Sequence, residues 1–362
     1  MPGLTETATT TTTTTPSTKP AICIIGSLNI DFVTSTPRCP GPGETLTATS
    51  LTVTAGGKGG NQAVACGRAS FTAKQSQDVL ISMIGAVGAD DVYYSTLLKP
   101  ALEASGVNTS NIEESRDAQT GSASIIVEED SGENRILVVP GANHAGMMGD
   151  VEQIVSAVKE TGDVGLVVMQ GEIPRKTTLG LLEYFNGGAS ASDRAHVVFN
   201  PAPVFPEGIP VTALKGTSVL IMNETEAVQM SRSIAGLSVK DIPTDLDGLK
   251  PEELASRFHE MAEVQIVLIT LGSKGVYFST RNGRTGAVNG VKVAKVLDTT
   301  AAGDTFVGYF STELARFLAK GSSLKEFDAE IEGAVQKANA AAAKTVQRRG
   351  AAQSIPFAYD ME

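Results

Sequence analysis

The chain has 362 residues, of which 41% are hydrophobic and 19% charged, and its formal charge is −11 at pH 7. This length and composition fit a globular α/β protein with one large domain or two modest ones. The negative charge argues against binding to nucleic acids and anionic membranes, and no stretch approaches the ~18 uninterrupted apolar residues of a membrane span.

Residues 1–20, MPGLTETATTTTTTTPSTKP, form a threonine tract without an apolar core. They contain neither the apolar region of a signal peptide nor the arginines of a mitochondrial presequence. We predict a disordered tail over 1–20 and one folded domain over 21–362. The cysteines lack zinc-type spacing and are predicted to be reduced thiols. Together with the missing targeting signals, this predicts a cytoplasmic protein, with an additional nuclear pool as the alternative.

Short apolar runs alternate along the chain with stretches typical of helices. The runs that predict buried strands are 21–26, 79–85, 165–170, 196–200, 218–223 and 264–272. The stretches that predict helices are 90–105, 151–160, 175–186, 251–263 and 303–319. This alternation indicates an α/β fold with a mostly parallel central sheet flanked by helices on both faces. Ligands of such sheets bind at the carboxyl ends of the strands.

Two segments, 33–55 and 119–139, interrupt the alternation. They are rich in Thr, Ser, Val and Ile, with turn residues between them, and therefore predict antiparallel ribbons outside the main sheet. Together the ribbons would form a small β-sheet lid. The segments 186–195 and 236–250 predict surface loops.

Several common signatures are absent from the sequence. There is no Walker-type phosphate loop, no G-x-S-x-G elbow, and no G-x-G-x-x-G after the first strand, which argues against a dehydrogenase. The histidines, His144, His196 and His259, are scattered without the spacing of a zinc site.

The run DTTAAGDTFVGYF (298–310) places Asp304 behind small residues at the predicted start of a helix. Backbone N–H groups at 301–304 would be unpaired there and would lie at the positive end of the helix dipole, where they can bind a phosphoryl group. Asp304 could take a proton from an attacking hydroxyl. The alternative is an aspartate that only complements the dipole.

Two further stretches carry groups suited to a sugar. In TAGGKGGNQAVACG, four glycines surround Lys58, and a helix is predicted to begin near Asn61. Such a loop allows backbone, lysine and amide groups to approach a polyol, although a flexible surface turn has the same composition. In SLNIDF, Asn29 and Asp31 would face the same side of an extended strand, or would simply be a polar strand end.

Polar residues also follow later strands. Glu172 ends one strand in QGEIP, and Asn223 lies at the strand-to-helix junction of NETEA, where it can cap the helix or meet a ligand. The run ITLGSKGVYF (269–278) predicts a strand, a glycine turn and a strand that could lie under a nucleotide. Each feature alone is compatible with a structural turn. Their common position at one edge of the sheet indicates a binding site.

With these motifs in place, residues 21 to 357 resemble the ribokinase-like sugar kinases, the phosphofructokinase B-type carbohydrate kinase family. The matching segments, in order, are GSLNIDF, AGGKGGNQAVACGR, GAVGADDVY, NPAP, NETEA, ITLGSKGVYF and DTTAAGDTFVGYF. The A-A-G-D-T-F run is typical of the whole family, and the G-G-K-G-x-N-Q-A run is typical of its ribose-phosphorylating members.

The resemblance implies ATP-dependent phosphorylation of the 5-hydroxyl of D-ribose by a homodimer joined through the lid. It implies Asp304 as the catalytic base, with an anion hole at Ala301, Ala302 and Gly303. The implied sugar-binding residues are Asn29, Asp31, Gly57, Lys58, Asn61, Glu172 and Asp304. The implied ATP-binding residues are Asn223, Thr270, Gly272, Ser273, Lys274, Gly275, Gly303, Asp304 and Asn339. Asn339 stands where the family commonly has a histidine beside the adenine.

The resemblance also implies two cations. Mg²⁺ would arrive with ATP, held mainly by phosphates and water, with the acid Glu226 nearby. An activating K⁺ would lie between two loops, many of its ligands being backbone carbonyls. The implied residues are Asp298, Thr300, Thr345, Arg348, Gly350 and Ser354. The alternative for Asp298 is a surface ion pair with Arg348 or Arg349.

Two alternatives to a ribose kinase remain at this stage. One is a related kinase for deoxyribose, another sugar or a nucleoside. The other, of a different class, is a sugar-binding protein without catalytic activity. The presence of Asp304, Lys58 and the small residues at 301–303 argues against the second alternative.

Overall fold

The structure is a computed structural model that describes residues 19–130, 133–188, 195–237, 239 and 250–361. The tail predicted at 1–20 therefore lies outside the described residues except for its last two. Of these, Lys19 donates a hydrogen bond to the Gln77 carbonyl at 2.7 Å. Most of the loop predicted at 236–250, and the part of the other loop over 189–194, also lie outside them.

The described strands and helices alternate along most of the chain. The strands are β1 (Ala21–Ile25), β2 (Asn29–Thr36), β3 (Ser50–Gly56), β4 (Phe71–Ala73), β5 (Ser76–Gln77), β6 (Leu80–Gly88), β7 (Val107–Ser115), β8 (Gly121–Glu128), β9 (Asn134–Val139), β10 (Leu166–Gln170), β11 (His196–Asn200), β12 (Val219–Asn223), β13 (Ile266–Thr270), β14 (Gly275–Thr280) and β15 (Thr285–Asn289). The α-helices are α1 (Lys58–Ala69), α2 (Lys99–Ala104), α3 (Val151–Glu160), α4 (Arg175–Glu183), α5 (Val211–Leu214), α6 (Glu224–Ile234), α7 (Pro251–Ala262), α8 (Ala302–Leu318) and α9 (Ile331–Thr345).

Within the described residues, nine strands form the central sheet in the order β15-β14-β13-β12-β11-β10-β1-β6-β7. All neighbours are parallel except the pairs β13–β14 and β14–β15. The mostly parallel sheet predicted from the sequence is confirmed. In the register of these strands Gln170 is opposite Asn200, and Asn223 is opposite Thr270. The polar residues that end β10 to β13 therefore lie along one edge.

The core has one apolar layer on each face of the sheet. In β1, Ile22 and Ile24 join the layer that contains α1, α8 and α9, whereas Cys23 and Ile25 join the layer that contains α3, α4, α6 and α7. Because both faces are covered, nearly every position of these strands must be apolar. Among the helices that the structure describes, none has the length and apolar character that a membrane span requires.

The lid is a second sheet with strand order β3-β2-β8-β9. Both hairpins, β2–β3 and β8–β9, are antiparallel as predicted, but the hairpins are joined by a parallel pair, β2–β8, which the prediction missed. Strand β2 follows β1 and strand β8 follows β7 along the chain. Because β1 and β7 run parallel in the central sheet, β2 and β8 enter the lid in the same direction. The lid also begins at Asn29, earlier than the predicted residue 33.

Three predicted helices differ from the structure in their boundaries or their regularity. Helix α1 begins at Lys58, not near Asn61, because its first N–H groups find partners outside the helix: the Glu172 carboxylate and the hydroxyl and carbonyl of Ser27. The helix predicted at 90–105 is a π-helical turn, Tyr94–Leu98, followed by α2, which carries a proline in its first turn. Helix α4 likewise ends at Glu183, before the predicted residue 186, and continues as a π-helical turn.

Candidate active site

A cleft of about 390 Å³ lies between the lid and the carboxyl edge of the central sheet. Its walls come from three parts of the chain. The lid contributes Asn29 and Asp31, the strand ends contribute Glu172, Asn223 and Thr270, and the helix starts contribute Lys58, Asn61, Gly303 and Asp304. The structure thus brings together most of the side chains that the sequence assigned to sugar and phosphate.

Asp304 lies in the first turn of α8 and is only 6% exposed. Its Oδ2 accepts a hydrogen bond from Asn61 Nδ2 at 3.0 Å, and its Oδ1 accepts one from Gln62 Nε2 at 2.9 Å. Two amides from α1 therefore fix the plane of the carboxylate.

The start of α8 lies at the cleft. Ala301 precedes the helix with a φ of 60°, a left-handed conformation that is uncommon outside glycine. Ala301 and Gly303 line the cleft, and Gly303 is exposed. Ala302 does not line the cleft, and its N–H donates to the Thr299 carbonyl at 3.3 Å, so its predicted role in the anion hole stays a prediction.

The lid strand β2 supplies the opposite wall. Asn29 and Asp31 both face the cleft, which confirms their predicted common side. The Asn29 amide is oriented by Asn143, whose Nδ2 donates to Asn29 Oδ1 at 2.7 Å. Gly56 makes room for Asp31, since a Cβ at this glycine would lie 2.1 Å from Asp31 Oδ2.

Glu172 connects the sheet edge to the glycine loop. Its Oε2 accepts hydrogen bonds from the backbone N–H of Lys58 at 2.8 Å and from Ser27 Oγ at 2.5 Å. Gly57 precedes Lys58 with a φ of 80°, which strongly favours glycine. The loop is therefore a tightly held element and not the flexible turn that its composition also allowed.

The cleft concentrates carboxylates around Lys58. Burial opposes the positive charge of Lys58, but Asp304, Glu172, Glu226 and Asp31 outweigh it and raise the pKa of this lysine. Burial, followed by the charges of Glu172 and Asp304, raises the pKa of Asp31 to about 7, although Lys58 opposes the shift. Burial also raises the pKa of Glu226. The charge of Lys58 therefore offsets part of the repulsion among these carboxylates.

The predicted ATP-binding residues fall into two groups. Asn223 and Thr270 line the cleft, and Asn223 also forms a capping box with Glu226, which confirms its capping role, whereas its contact with a ligand stays a prediction. Gly272, Ser273 and Lys274 form the turn after Thr270, next to Gly275, and none of the four lines the cleft. Asn339 lies outside it on α9, where its Nδ2 donates to the Asn289 carbonyl at 2.8 Å.

The two loops predicted to hold K⁺ are in contact. Asp298 accepts backbone hydrogen bonds from Thr300 at 2.9 Å and from Gly350 at 2.8 Å. An ion pair of Asp298 with Arg348 or Arg349 is not observed among the described residues. The Thr345 hydroxyl is buried against Thr305, and the Ser354 hydroxyl donates to Ala351, so these two residues would offer backbone carbonyls rather than hydroxyls. Arg348 Nη1 reaches the Ser354 carbonyl at 3.5 Å.

Comparison with known proteins agrees with this geometry. Residues 19–358 match the model of the pfkB family carbohydrate kinases. The chain belongs to this family. The kinase is 36% identical to the ribokinase of Schizosaccharomyces pombe over 94% of its own length and 96% of that protein. It superposes on ribokinase from Giardia lamblia with a TM-score of 0.77, at 30% identity, covering 94% of this chain and 98% of that one. It superposes on Arabidopsis thaliana ribokinase complexed with ribose and ATP with a TM-score of 0.70, at 26% identity, covering 95% and 98%.

Sequence reasoning missed several side chains that support the site of this pfkB kinase. They are Ser27, Gln62, Asn143, Gln170 and Asn200. Gln170 and Asn200 could have been found, because each ends an apolar strand with a polar residue. Gln62 and Asn143 carry no such signal, since their partners are distant in sequence.

Proposed function

We propose that this pfkB-family kinase transfers the γ-phosphoryl group of ATP to the 5-hydroxyl of D-ribose, with Asp304 as the general base. The observation that supports this most directly is the position of Asp304. It lies at the start of α8 in a cleft whose walls carry polyol-binding groups on one side and the strand-end residues Asn223 and Thr270 on the other. The ribokinases similar to this chain over nearly its full length support ribose as the acceptor.

In the proposed reaction, Asp304 accepts the proton of the sugar hydroxyl as the oxygen attacks the γ-phosphorus. The new P–O bond forms while the bond between the γ-phosphorus and the bridging oxygen breaks, and the electron pair leaves with ADP. The N–H groups at Ala301 and Gly303, at the positive end of α8, would receive the charge of the transferring group. Asp304 Oδ2 already accepts one bond from Asn61, which leaves a lone pair for the hydroxyl proton.

The sugar would be held between the lid and the glycine loop. Asn29 and Asp31 would bind adjacent hydroxyls, opposite Lys58 and Glu172. Asn61 Oδ1 is buried and accepts no hydrogen bond from any residue that the structure describes. A substrate hydroxyl in the cleft could donate a hydrogen bond to this acceptor.

ATP would bring Mg²⁺, which screens phosphate charge. Glu226 fits a role near this ion, because it lines the cleft and the Asn223 N–H fixes one of its oxygens at 2.9 Å. Mg²⁺ in nucleotide sites typically keeps several waters and takes only one or two carboxylates.

The test is ADP release with a panel of acceptors. We expect the highest kcat/KM with D-ribose and lower values with deoxyribose, fructose and adenosine. A higher value with another acceptor would reassign the substrate within the family. Binding of ribose without ADP release would establish the non-catalytic alternative.

The pKa of Asp31 gives a prediction about pH. We expect the KM for ribose to rise by up to about tenfold per pH unit below about pH 7, because protonation removes the anionic acceptor. In the folded state Asp31 keeps its proton up to about pH 7, whereas in the unfolded chain it loses that proton near the ordinary pKa of an aspartate. The free energy of unfolding should therefore fall as pH rises from about 4 to about 7. Asp31→Asn should remove both dependences. A wild-type KM that does not change across this range would contradict the assignment.

We also propose that the loops around Asp298 and Gly350 hold an activating K⁺, which would stabilise the turn leading into α8. Large, weakly hydrated cations suit sites of backbone carbonyls beside one carboxylate. Turnover should be faster in potassium or caesium than in sodium or lithium salts at equal ionic strength. Asp298→Ala should abolish this difference, whereas Glu263→Ala, which removes two surface ion pairs, should preserve it. Equal rates of the wild type in all four salts would contradict the cation site.

We further propose a homodimer joined through the lids. Strand β9 is exposed along its whole length, and Leu137 and Val139 are 72% and 60% exposed. An apolar edge strand of this kind favours a second copy as its cover. Light scattering should report a dimer at micromolar concentration, and Leu137→Asp should weaken it. Leu237→Asp, which changes an exposed leucine outside the lid, is the control. A monomeric wild type would contradict this proposal.

A further inference from the structure

A chain of buried amides lies behind Asp304. Gln62 is 0% exposed, and its Nε2 donates to Asp304 Oδ1 at 2.9 Å and to Asn200 Oδ1 at 3.1 Å. Its Oε1 accepts from Gln170 Nε2 at 2.8 Å. Both hydrogens and the oxygen of the Gln62 amide are therefore engaged. Gln62 does not line the cleft, so it is not placed to contact a substrate.

The orientation of these amides is fixed from both ends. An ionised carboxylate only accepts hydrogen bonds, so Gln62 must direct its NH₂ group toward Asp304 and its oxygen toward Gln170. Asn200 Nδ2 donates at 2.9 Å to the Ile221 carbonyl, which also only accepts, so the Asn200 oxygen must face Gln62. A reversed Gln62 amide would place oxygen against oxygen at Asp304.

The chain of amides is attached to the rigid sheet. Gln170 and Asn200 are the last residues of β10 and β11 and lie opposite each other in the register. Gln170 is packed so closely against β1 that a Cβ at Gly26 would lie 2.0 Å from its Oε1. Asp304, by contrast, lies on α8. Gln62 thus connects the catalytic helix to the strand ends through hydrogen bonds that have no alternative arrangement.

We infer that Gln62 is a positioning residue for the base. It holds Oδ1 toward the protein interior, so that Oδ2, beside the cleft-lining Asn61, faces the substrate hydroxyl. Hydrogen bonds to a charged group are stronger than those between neutral groups, and networks in a buried setting hold a side chain in one rotamer. This inference rests on the proposed role of Asp304 as the general base.

The test uses Gln62→Met, which keeps the length of the side chain and removes its hydrogen bonds. We expect kcat to fall by about 10- to 100-fold, as for loss of one hydrogen bond to a charged group. The KM values for ribose and ATP should change by less than about twofold, since Gln62 does not line the cleft. Gln170→Met, which leaves the bond to Asp304 in place but frees the Gln62 oxygen, should lower kcat by up to about tenfold with little change in KM. It is the second variant if Gln62→Met does not fold, and an unchanged kcat would then overturn the inference.

A double variant separates positioning from general stability. In the Asp304→Asn background, Gln62→Met should cause almost no further loss of kcat, because its effect acts through the carboxylate.

Asn186→Ala removes a partly buried amide that bonds Ala213 and Thr217 outside the cleft; it should lower the unfolding midpoint without lowering kcat. An unchanged kcat in Gln62→Met, or full additivity with Asp304→Asn, would overturn the inference. If Asp304→Asn alone leaves kcat unchanged, the proposed function fails instead.

Discussion

Asp304→Asn is expected to lower kcat by about 10²–10⁴-fold, the usual contribution of a positioned base. The amide has nearly the shape of the carboxylate but cannot take the hydroxyl proton. It also turns an NH₂ group toward either Asn61 or Gln62, so the protein should lose one hydrogen bond and a modest part of its stability. Steady-state kinetics and ribose and ATP titrations should show a loss in turnover with affinities largely retained.

The matched control for this variant is Asp78→Asn. Asp78 accepts two hydrogen bonds from Arg316 outside the cleft, so its amide variant carries the same chemical change without touching the proposed site. Its kcat should stay close to that of the wild type. A loss of less than about tenfold in Asp304→Asn would mean that Asp304 only complements the dipole of α8.

Lys58→Met should lower kcat/KM for ribose by about 10²–10³-fold, because removing one partner from a buried charge cluster leaves the others uncompensated. Burial lowers the pKa of Lys58 and four carboxylates raise it, and the effect of the carboxylates is the larger. Without it, the pKa of Asp31 should rise further, since Lys58 is the charge that lowers it. The rise in KM at low pH should therefore begin at a higher pH than in the wild type.

Lys337→Met is the control for Lys58→Met. Lys337 donates to Glu313 at 2.6 Å on the surface, where one ion pair contributes little. Its kinetics and pH profile should match the wild type. Lys58→Met kinetics that also match the wild type would show that the carboxylates do not depend on this cation.

The fold was predictable to the extent that it follows from local patterns. The apolar runs of β1 and β10 to β13 identify a covered parallel sheet, because only strands buried on both faces lack polar alternation. The parallel pairing of β2 with β8 was missed, since it depends on where two distant strands leave the central sheet. The start of α1 at Lys58 was missed for a similar reason: Ser27 and Glu172 satisfy its first N–H groups from elsewhere in the chain.

The candidate site was predictable where a residue is unusual in its local context. Asp304 after Ala302 and Gly303, or Lys58 among glycines, stands out in the sequence alone. Gln62 does not, because an amide in a helix is ordinary until the position of Asp304 is known. The Ala302 N–H donates to the Thr299 carbonyl, so the part of Ala302 in the anion hole stays a prediction. The single kinase domain and the cytoplasmic location stay predictions.

Product analysis by NMR tests the proposed function most directly. The wild-type enzyme would be incubated with ATP, Mg²⁺, K⁺ and D-ribose, and the phosphorus–proton couplings of the product would identify the phosphorylated carbon. We predict a single phosphate on the 5-oxygen, formed together with ADP and nearly absent with Asp304→Asn. Phosphate on another oxygen, or ribose recovered unchanged while another acceptor is phosphorylated, would contradict it.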